Sequence, residues 1–171
     1  PAAGDAAAPA PAYEISATRV IPLRPAHLAV RRHVGPYESV PESLFEELEA
    51  WAARRRLPGP RIWMGIGHDA PGTTAAEQLR FDAALVVPGP FAPEGDIAYQ
   101  LLPGGPFAVT THAGSYATLP AAYAAIFPRL LALPGYQLVG LPAVEIYHTT
   151  RVDVRYRLNH TDICLPVAPW P

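Results

Sequence analysis

The chain lacks lysine, has one cysteine, and contains no apolar run of the ~18 residues that a membrane-spanning helix needs. A single cysteine excludes an intramolecular disulfide and a multi-cysteine zinc site. The six histidines show no metal-ligand spacing, so neither a metal nor another cofactor is expected. The N-terminus lacks the basic start and apolar centre of a signal peptide. We therefore expect a soluble, cytoplasmic protein without a membrane partner.

The chain also has little net charge. The 13 basic residues against 15 acidic ones leave a net charge of −2, which argues against a basic surface for nucleic acid. The chain does have 171 residues, 50% of them hydrophobic, enough for a core without disulfides. Residues 1–12, rich in proline and alanine, predict a disordered linker, and residues 13–171 predict one domain. Such a linker fits either removal of an initiating methionine or excision of the domain from a longer protein.

The chain repeats itself. Residues 29–41 (AVRRHVGPYESVP) match residues 108–120 (AVTTHAGSYATLP) at Ala, Val, His, Gly, Tyr and Pro. The match extends to Asp82 and Asp162, each of which opens a strand-like run. Two copies of one unit predict a duplicated fold with a pseudo-two-fold axis. The predicted limits are about 26–88 for repeat one and about 97–168 for repeat two.

Each copy predicts a β-α-β-β unit. The predicted strands are residues 28–34, 61–67 and 82–87 in repeat one, and 107–113, 143–148 and 162–167 in repeat two. Apolar positions recur at helical spacing between the first two strands of each copy. Ser39 and Glu42 form a capping-box pattern for the first helix, and Thr118 takes the same place before the second. Pro128 is expected to kink or end the second helix.

These units predict an α+β fold of tandem duplicated β-α-β-β units. They would form one antiparallel sheet with two main helices on one face and a central ligand groove where the halves meet. Side chains alternate across a strand, so the middle strands divide into two faces. The aliphatic face is expected to pack on the helices and carries Ile62, Met64, Ile66, Pro142, Val144 and Ile146. The opposite face carries Trp63, Gly65, Gly67, Ala143, Glu145 and Tyr147.

The second of these faces predicts a cavity that contains one acid. Glycine inside a strand often marks a close approach to the backbone, which makes Gly65 and Gly67 candidate contacts. An isolated carboxylate such as Glu145 is costly in an apolar wall unless it is paired. A flat cationic ligand would pair with it while Trp63 and Tyr147 stack on the ligand. In the alternative interpretation, Glu145 pairs with an arginine or is solvated on an open sheet.

Tyr37 and Tyr116 follow the first strand of each repeat and would line the mouths of the groove. The remaining candidates have structural interpretations. His33 and His112 would bond the backbone of a turn. His68 and His148 fall on the aliphatic, helix-facing parity. Cys164 lies in the middle of a strand and predicts a buried, inert thiol.

Five motifs in order resemble the GyrI-like effector-binding family, and the match covers about 26–167. They are HVGPY at 33–37, IGHDAP at 66–71, QLRFD at 78–82, LPGG at 102–105 and VEIY at 144–147. The resemblance implies tandem β-α-β-β units that act alone or as sensors of AraC-type and MerR-type transcription regulators. It also implies multidrug recognition of bulky, often cationic aromatic molecules, with Glu145 as the buried acid.

The resemblance favours an effector-sensing binding domain over an enzyme. The alternative is a stand-alone GyrI-like hydrolase or sequestering protein that acts on toxic electrophilic small molecules, with Glu145 as its catalytic residue. A protein–protein module that acts on gyrase follows from the resemblance alone. DNA would be contacted only through a helix-turn-helix domain, which these 171 residues do not contain. A homodimer is compatible with the sequence.

Overall fold

The computed structural model describes residues 12–140, 142–148 and 159–171. The predicted linker lies outside the described residues except for Ala12. The described elements include the two predicted β-α-β-β series, together with further strands outside them. In chain order they are Tyr13–Ile15 (β1), Arg19–Leu23 (β2), Ala26–Val34 (β3), Ser43–Arg54 (α1), Trp63–Gly67 (β4), Arg80–Val87 (β5), Ala98–Leu102 (β6), Gly105–Gly114 (β7), Leu119–Leu131 (α2), Tyr136–Leu138 (β8), Ala143–Tyr147 (β9) and Asn159–Pro169 (β10).

The strands form one mostly antiparallel sheet, which confirms the α+β fold class. Its order is β1-β7-β10-β9-β4-β5-β3-β6, with β2 added beside β7 and β8 beside β10. The β3-α1-β4-β5 half meets the β7-α2-β9-β10 half where β4 pairs with β9. Both helices lie over the same face of the sheet. In the described part of the chain, no helix is both long and apolar enough to cross a membrane.

The helix starts differ from the predicted capping boxes. Tyr37–Ser39 forms a short 3-10 helix, and the Ser39 hydroxyl donates to Pro36 O at 2.8 Å. The N-cap of α1 is Glu42, without a side-chain capping bond. Thr118 is the N-cap of α2, yet its hydroxyl donates back to Ser115 O. In both repeats the hydroxyl at this position thus closes the preceding turn, because a serine or threonine can bond a local carbonyl as readily as a helix N–H.

Pro128 lies inside α2, and the helix continues to Leu131. The proline therefore does not end the helix. Its side chain and the neighbouring Phe127 are exposed, whereas Ile126 and Leu130 are buried beneath the helix. The lost backbone hydrogen bond consequently falls on the solvent side.

The two halves exchange their leading strands. β2 precedes β3 in the chain but pairs with β7, whereas β6 precedes β7 but pairs with β3. The two connections cross at Gly104, where an added Cβ would lie 2.7 Å from Leu23 O and 2.7 Å from Pro25 Cδ. Only glycine leaves room for such a close approach. The crossing places Leu102 and Phe107 over the aliphatic face of the central strands.

The predicted orientation of the sheet faces was wrong, although the grouping of residues was correct. The aliphatic face, represented by Met64 and Val144, packs with the crossing strands on the side away from the helices. Trp63 and Tyr147 pack in the core beneath α1, and Ala143 packs beneath α2. Alternation shows which residues share a face but not which face the helices cover. On the helix-covered face, the rings of Tyr147, Phe81 and Tyr37 fill the space over Gly65 and Gly67.

Each repeat places a His–Asp pair on the side away from the helices. His68 Nε2 lies 2.6 Å from Asp82 Oδ2, and His148 Nε2 lies 2.7 Å from Asp162 Oδ2. The helix-facing placement predicted for these histidines is wrong, and their structural role stays a prediction. Repeat one adds Arg32, which donates to both Asp82 oxygens at 2.8 Å.

Arg32 makes the first pair an ionic network around a buried carboxylate, with the arginine itself half exposed. The Asp82 side chain is 0% exposed, whereas that of Asp162 is 21% exposed. Burial acts to raise the pKa of Asp82, but the bonds from Arg32 and His68 more than offset it, so its pKa is lowered. Repeat two has Thr111 in the place of the arginine, and its hydroxyl donates to Asp162 at 2.7 Å.

We expect Asp82→Asn to lower the free energy of unfolding at pH 7 by about 1–3 kcal/mol, because the buried carboxylate loses its charge-assisted bonds to Arg32 and His68. The matched change Asp162→Asn should cost about 1 kcal/mol. Urea unfolding measures both. A lowered carboxyl pKa stabilises the fold above the unfolded pKa of about 3.9, and this stabilisation is lost as the pH falls through the lower folded value. The difference between wild type and Asp82→Asn should therefore shrink in acid. Equal losses in the two variants would contradict this account.

Candidate functional site

The antiparallel register of β4 and β9 builds the site from both halves. Gly65 lies opposite Glu145, and Trp63 lies opposite Tyr147. Repeat one therefore provides a vacant position at the point where repeat two provides a carboxylate. These four residues share the face that the helices cover. The structure brings together the central residues that the sequence predicted, and their role in ligand binding stays a prediction.

The carboxylate of Glu145 is held by two phenol groups. Tyr147 Oη donates to Oε2 at 2.6 Å, and Tyr123 Oη donates to Oε1 at 2.9 Å. Both hydroxyls are neutral donors, so the negative charge of an ionised Glu145 is solvated without being cancelled by them.

Tyr123 was not among the predicted site residues. It lies on α2 in the apolar stripe that includes Ile126 and Leu130. Burial, together with the nearby Glu145, raises its pKa well above the ordinary value. The phenol therefore stays protonated and remains a donor at neutral pH. A tyrosine in a buried stripe needs a hydrogen-bond partner for its hydroxyl, and that requirement is the signal that could have identified it.

The ring of Tyr147 fills the space over Gly65. A Cβ added to Gly65 would collide with the Tyr147 hydroxyl and would lie 2.5 Å from Phe81 Cζ. Tyr147 is flanked edge-on by Phe45 of α1, with ring centroids 6.0 Å apart, and by Tyr116, at 5.6 Å. Phe45 also contacts Trp63 at 5.9 Å. An aromatic cluster thus surrounds Tyr147, one of the two donors to Glu145.

Tyr37 lies at the other end of the central strands. Its hydroxyl donates to Asp69 O at 2.7 Å, and an added Cβ on Gly67 would lie 3.4 Å from it. Burial, with the nearby Asp69 carboxylate, raises the pKa of Tyr37. Its ring also contacts Phe81 at 5.9 Å. Tyr37 therefore closes one end of the cluster, while Tyr116 contacts Tyr147 directly.

Cys164 lies outside this cluster. It is buried in the aliphatic core on the other face of the sheet, and burial raises the pKa of its thiol to about 12, which keeps it protonated at neutral pH. Its inert character agrees with the prediction. Among residues 12–140, 142–148 and 159–171, no group of three or more His, Cys, Asp or Glu is placed to hold a metal ion.

A family model matches most of the chain. Residues 17–168 match the model of the GyrI-like small molecule binding domain. The chain belongs to the GyrI-like family. This GyrI-like domain is therefore a small-molecule-binding domain, and the resemblance drawn from the sequence motifs is confirmed.

Curated relatives of the domain include DNA gyrase inhibitors. The chain is 31% identical over 142 residues to the DNA gyrase inhibitor of Escherichia coli (strain K12), which covers 81% of this chain and 87% of that protein. It is 39% identical over 82 residues to DNA gyrase inhibitor 2 of Dickeya dadantii (strain 3937), which covers 46% of this chain and 51% of that protein.

Solved structures share the fold at low sequence identity. The EcmrR C-terminal domain superposes with a TM-score of 0.68 at 20% identity, over 92% of this chain and 99% of that one. In the EcmrR–DNA complex the match covers 58% of the regulator chain, with a TM-score of 0.73. SAV2435 bound to tetraphenylphosphonium gives a TM-score of 0.56 at 10% identity, over 90% of this chain and 94% of that one.

The close approach at Gly65 gives a stability prediction. Gly65→Ala should lower the free energy of unfolding by about 1–3 kcal/mol, because the new methyl group displaces Tyr147 and Phe81. Gly67→Ala is the matched control and should change it by less than about 1 kcal/mol, since its methyl group would reach only ordinary contact with Tyr37. Urea unfolding compares the two variants. A Gly65→Ala protein as stable as Gly67→Ala would show that Tyr147 does not occupy this position.

Proposed function

We propose that this GyrI-like domain binds a bulky aromatic cation between its two helices, with Glu145 as the counter-charge, and that it serves as the effector-sensing domain of a transcription regulator. The observation that carries the proposal is the Glu145 carboxylate held by two neutral phenols, one of which belongs to Tyr147, whose ring packs against Phe45 and Tyr116. The acid attracts positive charge, and the rings supply stacking and cation–π contact of about 0.5–2 kcal/mol each.

Entry of the ligand requires a rearrangement of Tyr147. The ring of Tyr147 lies where a ligand would reach the backbone of Gly65, and its hydroxyl occupies one oxygen of Glu145. A cationic aromatic ligand that takes this position would replace the ring contacts of Tyr147 with its own. It would also replace the neutral hydrogen bond from Tyr147 to Glu145 with a charged contact. Tyr123 keeps its bond to the other oxygen and so holds the carboxylate in place.

A sensor function follows from this exchange of partners. Phe45 belongs to α1 and Tyr123 to α2, so a ligand at Glu145 contacts groups that both helices carry. Binding that favours one arrangement of the helices shifts the population of that arrangement. The proposal is supported by the regulator EcmrR, whose C-terminal domain has the same fold.

We expect tetraphenylphosphonium, the cation bound in the SAV2435 structure, to bind this domain saturably. Glu145→Gln should weaken its affinity by about 10–100-fold, which corresponds to the loss of one charged contact. The matched control Glu77→Gln removes an exposed acid outside the site and should leave the affinity unchanged. Isothermal titration calorimetry measures all three proteins.

A neutral comparator separates charge from shape. Triphenylphosphine oxide has similar rings without the positive charge and should bind more weakly than methyltriphenylphosphonium to the wild-type domain. Glu145→Gln should remove most of that preference. Equal affinities for the cation in wild type and Glu145→Gln, or no binding of either cation, would refute the electrostatic part of the proposal.

The second candidate function is inhibition of DNA gyrase, which the 31% identity to the Escherichia coli inhibitor favours. Here we expect the domain, added in stoichiometric amounts, to reduce ATP-dependent supercoiling by purified gyrase, whether or not Glu145 is replaced. Loss of supercoiling with both wild type and Glu145→Gln would support inhibition through a surface. Unchanged supercoiling with both proteins would exclude this function and leave ligand sensing.

A hydrolase that uses Glu145 remains the alternative within the same site. It would consume its ligand, whereas a sensor returns the ligand unchanged. Chromatography of strained electrophiles incubated with wild type and Glu145→Gln distinguishes the two functions, because only a hydrolase yields a product that depends on Glu145.

A further inference from the structure

A cleft lies on the face of the sheet away from the helices. Its volume is about 450 Å³, within the ~300–1,000 Å³ range of small-molecule sites. Its walls include the aliphatic side chains of Leu23, Ile62, Met64 and Ile146. Because Met64 and Ile146 alternate with Gly65 and Glu145 along their strands, this cleft opens on the opposite side of β4 and β9 from the aromatic site.

The charged groups around the cleft have one sign. Among the described residues that line it, Arg24, Arg61 and His148 can carry positive charge, and none is acidic. Arg61 is already paired, since its Nε lies 3.1 Å from Glu49 Oε2 and its Nη1 donates to Leu57 O. His148 is bonded to Asp162, as described above.

Arg24 is the basic group whose charge is still available. It is exposed, and within the described ranges it has neither an ion pair nor a side-chain hydrogen bond. Its backbone lies at the chain crossing, between Leu23, which closely approaches Gly104, and Pro25, whose ring restricts the backbone. The guanidinium group is therefore attached to a tightly packed segment at the edge of an aliphatic cleft.

We propose that this cleft is a second ligand site, which binds a monoanion attached to a compact apolar group. The anion would accept charge-assisted hydrogen bonds from Arg24, and the apolar group would enter the cleft and cover its aliphatic walls. The anion would make no contact with Glu145, although Tyr147 lines the cleft and also bonds Glu145. The cleft also has the opposite charge preference to the aromatic site, so the two sites would select different ligands.

Met64 provides a direct readout, because it is the chain's only methionine and lines the cleft. Protein labelled at the methionine methyl carbon gives one Met64 resonance from the cleft wall. We expect 8-anilinonaphthalene-1-sulfonate and dodecanoate, an aromatic and an aliphatic monoanion, to shift it saturably. Methyltriphenylphosphonium, which binds at the aromatic site, should not displace either anion at concentrations that saturate that site.

Two pairs of variants test the proposed contacts. Arg24→Gln should weaken binding of both anions by about tenfold. Arg19→Gln removes the same charge from an exposed position of β2 that does not line the cleft, and it should change the affinity by less than about twofold. Ile62→Glu places a carboxylate in the cleft wall and should abolish the shift. Val34→Glu is its exposed control.

Three results would overturn the proposal. The first is the absence of a saturable shift with either anion. The second is an equal loss of affinity in Arg24→Gln and Arg19→Gln, which would indicate general attraction to positive charge. The third is loss of the anion-induced shift in Glu145→Gln, which would place the anion at the aromatic site. None of these results bears on cation binding, which the calorimetry measures separately.

Discussion

The structure depends on covering both faces of one central strand pair. The helices cover the face of β4 and β9 that carries glycine, glutamate and aromatic residues, which leaves the aliphatic face to be buried by something else. The two crossing connections do this, and they can approach each other only because position 104 has no side chain. Burial of this second face on its own core releases the helix-covered face from the need to be apolar. A carboxylate can therefore lie at the centre of the sheet.

The candidate site lies where two similar β-α-β-β halves meet with different residues. The strand register sets Gly65 against Glu145 and Trp63 against Tyr147. The first half leaves space at its central strand, and the second places an acid and a ring there. The His–Asp pairs also differ, since only the first half adds an arginine and buries the aspartate fully. Equivalent positions thus differ in charge and burial between the two halves.

Much of the fold could be predicted from the repeat and from strand alternation. The grouping of Glu145 with Gly65 and Tyr147 required only period two along β9 and the offset between the copies. The side covered by the helices could not be predicted, because alternation is the same viewed from either face. Tyr123 was missed because its hydroxyl meets Glu145 across a tertiary contact of 22 positions along the chain. The helix starts were misjudged because Ser39 and Thr118 have local carbonyls within reach.

Through the exchanged leading strands, each half provides an edge strand to the sheet of the other half. A chain cut in the loop between β5 and β6 would give an N-terminal piece that carries β2, the edge strand of the other piece, and a C-terminal piece that carries β6, the edge strand of the first. Each piece alone would expose the backbone of β3 or β7 along one side. The two together could restore the whole sheet, and with it the Gly65–Glu145 pairing. In such a two-piece protein, the site would form only when the two pieces assemble, because each piece carries one strand of the Gly65–Glu145 pair.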